Sequence, residues 1–330
     1  MGVEVRTRDL RKIYKTSPPS GGGAPPQRGK GKTEIVALDG VSLNVRAGEI
    51  FGLLGPNGAG KSTTIGILTT RIRPTSGEAW ISDYEVWRQQ VDAKRLIGVV
   101  QQRPNLDFWL TAREILTFHA AYFGISSGER TRRASELLDR FQLTDRADQL
   151  VRGFSGGMMQ RLSIARAMMH DPEVMFLDEP SSGLDTQTRL MLWEIIREYR
   201  TRGKTIILTT HNLDEADALC EHIGIIDHGK VIAMGTPSEL KASVPGGYVV
   251  RLRFAGSPNG MVEHLKQLPG VSEVNLQGGN ADVYADRGGS LVAPIVAAAA
   301  SHGIELSDVH ISEPSLENLF LHHTGRSLRQ

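Results

Sequence analysis

The chain has 330 residues, enough for one substantial domain and a smaller one. Lys and Arg number 38 against 37 Asp and Glu, so the net charge of +1 leaves no broad electrostatic footprint for nucleic acid, which is not expected as a partner. The single cysteine, Cys220, excludes an intramolecular disulfide and a cysteine metal cluster. Its apolar neighbours mark it as a buried small hydrophobe. Residues 1–6 carry no apolar run fit for a signal peptide, and no stretch approaches the roughly 20 apolar residues that span a bilayer.

Residues 3–10 alternate apolar and charged side chains, the period of a half-exposed strand. Residues 17–32 are rich in Pro, Gly and basic side chains and bury too little apolar surface to offset their ordering entropy, which predicts a flexible loop. A strand-rich region covers 34–45. A further strand at 49–54 then runs into Gly55-Pro56-Asn57-Gly58-Ala59-Gly60-Lys61-Ser62-Thr63. This is G-x-x-x-x-G-K-[ST] between a strand and a helix. Glycines let backbone N–H groups turn toward phosphate oxygens, and a helix N-terminus adds positive potential. Lys61 is placed for the β- and γ-phosphates and Ser62 for Mg²⁺.

Between about 103 and 167 strand signals vanish, and helical periods at 112–123, 130–141 and 160–169 predict a helical subdomain inserted in the sheet domain. Ser155-Gly156-Gly157, at the start of the third helix, offers a second anion-binding surface that the chain's own phosphate loop does not need. The economical reading is that it faces the nucleotide of another copy, in a head-to-tail homodimer with two ATP molecules sandwiched between subunits.

Four apolar residues before Asp178-Glu179 suit a buried parallel strand, whose C-terminal end is where α/β sheets place chemistry. Asp178 is expected in the Mg²⁺ shell. Glu179 is the candidate base that orients and deprotonates the attacking water. A helix N-cap pair is the structural alternative for two adjacent carboxylates. A strand at 205–208 ends in Thr209-Thr210-His211, and strands and helices alternate to about residue 235, the pattern of an α/β sheet covered on both faces.

Val244-Pro245-Gly246-Gly247 predicts a boundary, giving domains of 1–240 and 245–330. Strands at 248–254, 271–276, 281–285 and 304–311, with helices at 261–268 and 291–300, have the order β-α-β-β-α-β of a ferredoxin-like α+β unit. An amphipathic helix at 315–323 closes the pattern.

Phe154-Ser155-Gly156-Gly157-Met158-Met159-Gln160-Arg161 closely resembles the signature motif of ATP-binding cassette (ABC) proteins, whose usual first residue is Leu. The resemblance covers about residues 3–240. It implies a P-loop NTPase fold and ATP hydrolysis with Mg²⁺. Tyr14 stands at the family's adenine-stacking position. Ile97-Gly98-Val99-Val100-Gln101-Gln102 resembles the Q-loop, which implies Gln102 as a Mg²⁺ ligand and a participant in catalysis. Ser181-Ser182-Gly183-Leu184-Asp185 resembles the D-loop, which implies Asp185 at the nucleotide, with Thr186 replacing a frequent proline. His211 matches the switch histidine near the γ-phosphate.

Glu313-Pro314-Ser315-Leu316-Glu317-Asn318-Leu319-Phe320-Leu321 with Thr324-Gly325-Arg326 looks like the C-terminus of daunorubicin-resistance-type exporter ATPases. Those proteins pair with a separate transmembrane permease subunit at the cytoplasmic face of the cell membrane and export drugs, antibiotics or lipid-like compounds. The competing class is a soluble ABC ATPase of translation or DNA repair. Translation types carry two cassettes and repair types long coiled-coil insertions, and this chain has neither.

Overall fold

The computed structural model describes residues 3–16, 33–255, 260–277, 280–286 and 288–324. The glycine- and proline-rich stretch 17–32 and the tail residues Gly325 and Arg326 therefore lie outside the described residues. The chain divides into two compact units, residues 1–232 and 233–330.

In the first unit β1 (Val5–Thr16) pairs antiparallel with β2 (Thr33–Val45). It extends well past Leu10, where the apolar alternation weakens, because its register continues to Thr16 against β2. β3 (Ile50–Leu54) leads into α1 (Lys61–Leu68). β4 (Ser76–Ile81) and β5 (Tyr84–Glu85) complete an antiparallel sheet of order β2-β1-β4-β5. After α2 (Gln90–Leu96) and β6 (Ile97–Val100) come three helices: α3 (Ala112–Tyr122), α4 (Ser127–Arg140) and α5 (Gly156–Met168).

Helix α3 opens on a capping box in which Thr111 accepts from the Glu114 N–H and the Glu114 carboxylate accepts from the Thr111 N–H. Helix α5 starts four residues ahead of the period seen from Gln160, because the Ser155 hydroxyl caps it and satisfies a first-turn amide.

β7 (Val174–Asp178), α6 (Thr186–Thr201), β8 (Thr205–Thr210), α7 (Leu213–Leu219), β9 (His222–Asp227) and β10 (Lys230–Gly235) follow. They build a six-stranded sheet of order β10-β9-β3-β8-β7-β6, in which β9, β3, β8, β7 and β6 run parallel. β3, β7 and β8 are buried at every position, as continuous apolar runs demand when both faces are covered. On one face, Phe51, Phe176 and Ile207 share a core with Leu10, Leu38 and Ile81 of the antiparallel sheet and Ile65 of α1. Helices α6 and α7 pack on β8. Cys220 is buried as expected, and burial pushes its thiol pKa up.

In the helical part, His119 of α3, Phe123 and His170 form an aromatic cluster, with the Phe123 and His170 rings stacked 3.7 Å apart. Burial is the main cause that brings the His119 pKa down to about 4, with His170 and Arg166 adding to it.

The second unit begins ahead of the turn at 244–247, because α8 (Pro237–Ala242) packs on α11 (Leu316–Thr324). Between them run β11 (Tyr248–Phe254), α9 (Met261–Lys266), β12 (Val271–Gln277), β13 (Asn280–Ala285), α10 (Gly288–Ser301) and β14 (Leu306–Ser312). The strands form an antiparallel sheet of order β12-β13-β11-β14, the split β-α-β arrangement read from the sequence. Val250, Leu252 and Val283 meet Leu265 of α9 and Ile295 of α10 on one face. Leu319 and Phe320 of α11 are fully buried. Asn318 beside them satisfies its amide on the Ser312 hydroxyl and the Glu313 carbonyl.

Candidate active site

The phosphate loop leaves the carboxyl end of β3 and turns into α1 at Gly60, whose φ of +114° is open to glycine and strained for other residues. A side chain there would also meet Leu38 and the Ala37 carbonyl within 3 Å. No side chain caps α1, so its first-turn amides remain available to an anion.

Lys61, at the first position of α1, is 4 % exposed. Its ammonium donates to the carbonyls of Gly55 at 2.6 Å and Pro56 at 3.1 Å and stands 3.3 Å from Glu179 Oε1. Burial lowers its pKa, and the Glu179 and Asp178 carboxylates oppose that shift.

Asp178 ends β7. Its Oδ1 accepts from the Ser62 hydroxyl at 3.2 Å and from the Thr209 hydroxyl at 2.5 Å. Glu179 follows in the left-handed region at φ +48°, a conformation that costs a non-glycine residue on the order of 1–3 kcal/mol and is held by its surroundings. Its main-chain N–H donates to the Thr209 carbonyl and to the Thr209 hydroxyl, each at 3.1 Å. Its Oε2 accepts from Gln102 Nε2 at 3.0 Å and lies 3.1 Å from His211 Nδ1. Loop, Gln102 and Glu179 line one cleft of about 350 Å³ with Asn57, Gly58, Ser62 and Thr63.

Among the expected site residues, the structure thus gathers the phosphate loop from Gly55 to Thr63, Gln102, Asp178, Glu179 and His211. The helix-cap alternative for Asp178 and Glu179 is set aside, because α6 is capped instead by Asp185.

Tyr14, Asp185 and the turn Ser155-Gly156-Gly157 do not join that cleft. Tyr14 is half-buried on β1, with the Lys12 ammonium 4.9 Å from its ring centre, and is not among the residues lining the cleft. Asp185, expected at the nucleotide, directs its carboxylate at its own chain: it accepts from the Thr188 N–H at 2.9 Å and hydroxyl at 2.8 Å. Those bonds hold its pKa below the usual value. Ser155 lies exposed at the start of α5, its hydroxyl accepting from the Met158 N–H at 3.3 Å. A side chain added at Gly156 would meet nothing within 4 Å, so this amide-rich turn faces open space.

Several functional contacts escape sequence reasoning. The Thr209 hydroxyl joins Asp178 to the Glu179 backbone, whereas the hydroxyl of adjacent Thr210 accepts from the Asn212 N–H. The alternating faces of β8 are the signal that separates them. Buried Gln160 of α5 donates through Nε2 to the Pro180 carbonyl at 3.1 Å. Buried Glu215 of α7 accepts from the Ser181 hydroxyl and from Trp193 Nε1.

A phosphate loop after one strand of a parallel sheet, with a carboxylate pair ending the strand two places away, defines a P-loop nucleotide hydrolase. Residues 38–182 match the family model for the ABC transporter, and residues 235–324 match that for the ATP-binding protein DrrA1-3-like C-terminal domain. The linearmycin resistance ATP-binding protein LnrL of Bacillus subtilis (strain 168) is 38% identical over 301 residues, covering 91% of this chain and 96% of the relative. The daunorubicin resistance ATP-binding protein DrrA3 of Streptomyces coeruleorubidus is 40% identical over 294 residues, 89% of this chain and 92% of the relative. A solved dimeric ATP-binding cassette in a post-hydrolysis state bound to ADP and Pi aligns with a TM-score of 0.63 at 29% identity, over 70% of this chain and 98% of that one. The chain belongs to the ABC transporter ATP-binding subunits, and it is an ATPase of that family.

Proposed function

We propose that this chain is the ATP-hydrolysing subunit of an exporter of drugs, antibiotics or lipid-like compounds. It works as a homodimer bound to a separate transmembrane permease at the cytoplasmic face of the membrane. The relatives named for linearmycin and daunorubicin resistance support export. No helix among the described residues is long and apolar enough to cross a membrane, so this reading assigns the pore to the permease.

The observation that carries the mechanism is the meeting of Lys61, Asp178 and Glu179 at the carboxyl end of the parallel sheet. In this reading the amides of residues 55–63 bind the phosphates of ATP and Lys61 neutralises charge on the β- and γ-groups. Ser62 and Asp178 present two hard oxygen ligands side by side, and the Gln102 carbonyl, with its amide nitrogen committed to Glu179, is free to be a third. That donor set fits Mg²⁺, which supplies electrostatic stabilisation of the transferring phosphoryl group when bound.

Glu179 takes a proton from the attacking water and His211 orients the carboxylate or the γ-phosphate. The turn at Ser155, Gly156 and Gly157 closes on the nucleotide of the second copy, with its amides as donors. Because that closure needs the γ-phosphate, hydrolysis releases it, and the opening drives the permease.

Glu179→Gln tests the base: ATP binding should persist while steady-state turnover falls at least about a hundredfold. Turnover at the unmodified rate would sink the assignment.

A further inference from the structure

We propose that Thr209 is a positioning residue that sets both site carboxylates at once. The proposal rests on the reading that Asp178 and Glu179 carry the chemistry. Thr209 is wholly buried near the end of β8, one strand over from Asp178. Its hydroxyl has no access to solvent, and both of its hydrogen-bonding capacities are used inside the site. It donates to Asp178 Oδ1 at 2.5 Å and accepts from the Glu179 N–H at 3.1 Å.

The sheet alone does not ask for this hydroxyl. The three residues before it, Ile206, Ile207 and Leu208, are apolar, and valine has the same shape and at least equal strand preference. A buried hydroxyl at such a place must be hydrogen-bonded, and here its partners are the two site residues.

Two consequences follow from those bonds. Asp178 Oδ1 is fixed between the Ser62 hydroxyl from α1 and the Thr209 hydroxyl from β8, so the carboxylate cannot rotate and its other oxygen keeps one direction. Glu179 is fixed at its backbone: the same N–H is shared by the Thr209 carbonyl and hydroxyl, and this holds the left-handed turn that aims its side chain back at Lys61, Gln102 and His211. Loss of the hydroxyl leaves Asp178 Oδ1 with the Ser62 bond alone and the Glu179 N–H with the Thr209 carbonyl alone, so each is held by one bond instead of two.

The test measures ATPase activity, nucleotide affinity, Mg²⁺ dependence and thermal unfolding of the full chain carrying Thr209→Val or Thr209→Ser. Thr209→Val is expected to lower kcat about thirtyfold and to raise the Mg²⁺ concentration for half-maximal activity severalfold, with ADP affinity changed less than about threefold. Thr209→Ser is expected to recover kcat to within about threefold.

Thr209→Val with kcat within twofold of the parent overturns the proposal. So does a loss that serine fails to rescue while Mg²⁺ dependence stays unchanged, since that is a packing defect. If Thr209→Val does not fold, Thr209→Ala takes its place with the same expectations. Asp178→Asn and Glu179→Gln run alongside: full turnover in either removes the underlying reading, whereas their loss with an active Thr209→Val removes only the role of Thr209.

Discussion

The Lys61 ammonium and the Glu179 carboxylate stand 3.3 Å apart, each about one-twentieth exposed, so the proposed phosphate-binding residue and the proposed base already form a buried ion pair. A phosphate entering the loop competes with Glu179 for the same charge. Replacing Glu179 with Gln leaves the ammonium buried without its ion pair, a costly state that a phosphate relieves. Glu179→Gln should therefore bind ADP about tenfold more tightly than the parent, measured by calorimetry. Equal affinity would show that the ion pair does not hold Lys61 back.

The open turn at Ser155 and the phosphate cleft lie apart within one chain, which predicts composite sites. Lys61→Ala and Ser155→Arg homodimers should each be nearly inactive. Mixed in equal amounts they form heterodimers with one site intact and one doubly damaged, and some ATPase activity should return. A mixture no more active than its components would place both residues in the same subunit's site.

Acid should weaken the helical part of the first unit. His119 has a pKa near 4 in the folded chain against an ordinary value of 6.5, so the unfolded chain takes up a proton first as pH falls. The stabilisation is complete above pH 7 and is lost as pH drops from about 6.5 toward 4. Between pH 7.5 and 5 the loss attributable to His119 is about 2 kcal/mol. Urea unfolding at the two pH values checks this, and His119→Gln should flatten the dependence by that amount.

Gly52 lies in the middle of β3, where an added Cβ would sit 2.6 Å from Cys220 Sγ. Gly52→Ala should destabilise the chain by about 1–3 kcal/mol. Adding Cys220→Ala should restore part of that loss, a coupling that a denaturant series on the single and double variants would reveal. The same burial should keep Cys220 unreactive toward a thiol reagent until the protein unfolds.

The parallel sheet, the inserted helices and the split β-α-β unit were legible because each rests on a local period or on a glycine-rich loop with fixed spacing. The grouping of Lys61, Ser62, Asp178 and Glu179 was legible for the same reason: a loop of fixed spacing and a buried strand before the carboxylates tie these residues to neighbouring positions. Thr209, Gln160 and Glu215 were not, since their roles depend on which strand or helix lies alongside, and no period encodes that. Asp185 carries two readings at once. A carboxylate one residue before a helix is also an N-cap, and in this chain the cap hydrogen bonds hold it.

The hydrogen bond from Gln160 to the Pro180 carbonyl ties α5, which begins at the outward-facing glycine turn, to the residue immediately after Glu179. Any tilt of that helix is thereby a tug on the backbone beside Glu179, the proposed base. Under the proposed mechanism, mechanical work and bond cleavage would share this one tether, which would give force arriving from outside a direct route to the pace of the reaction.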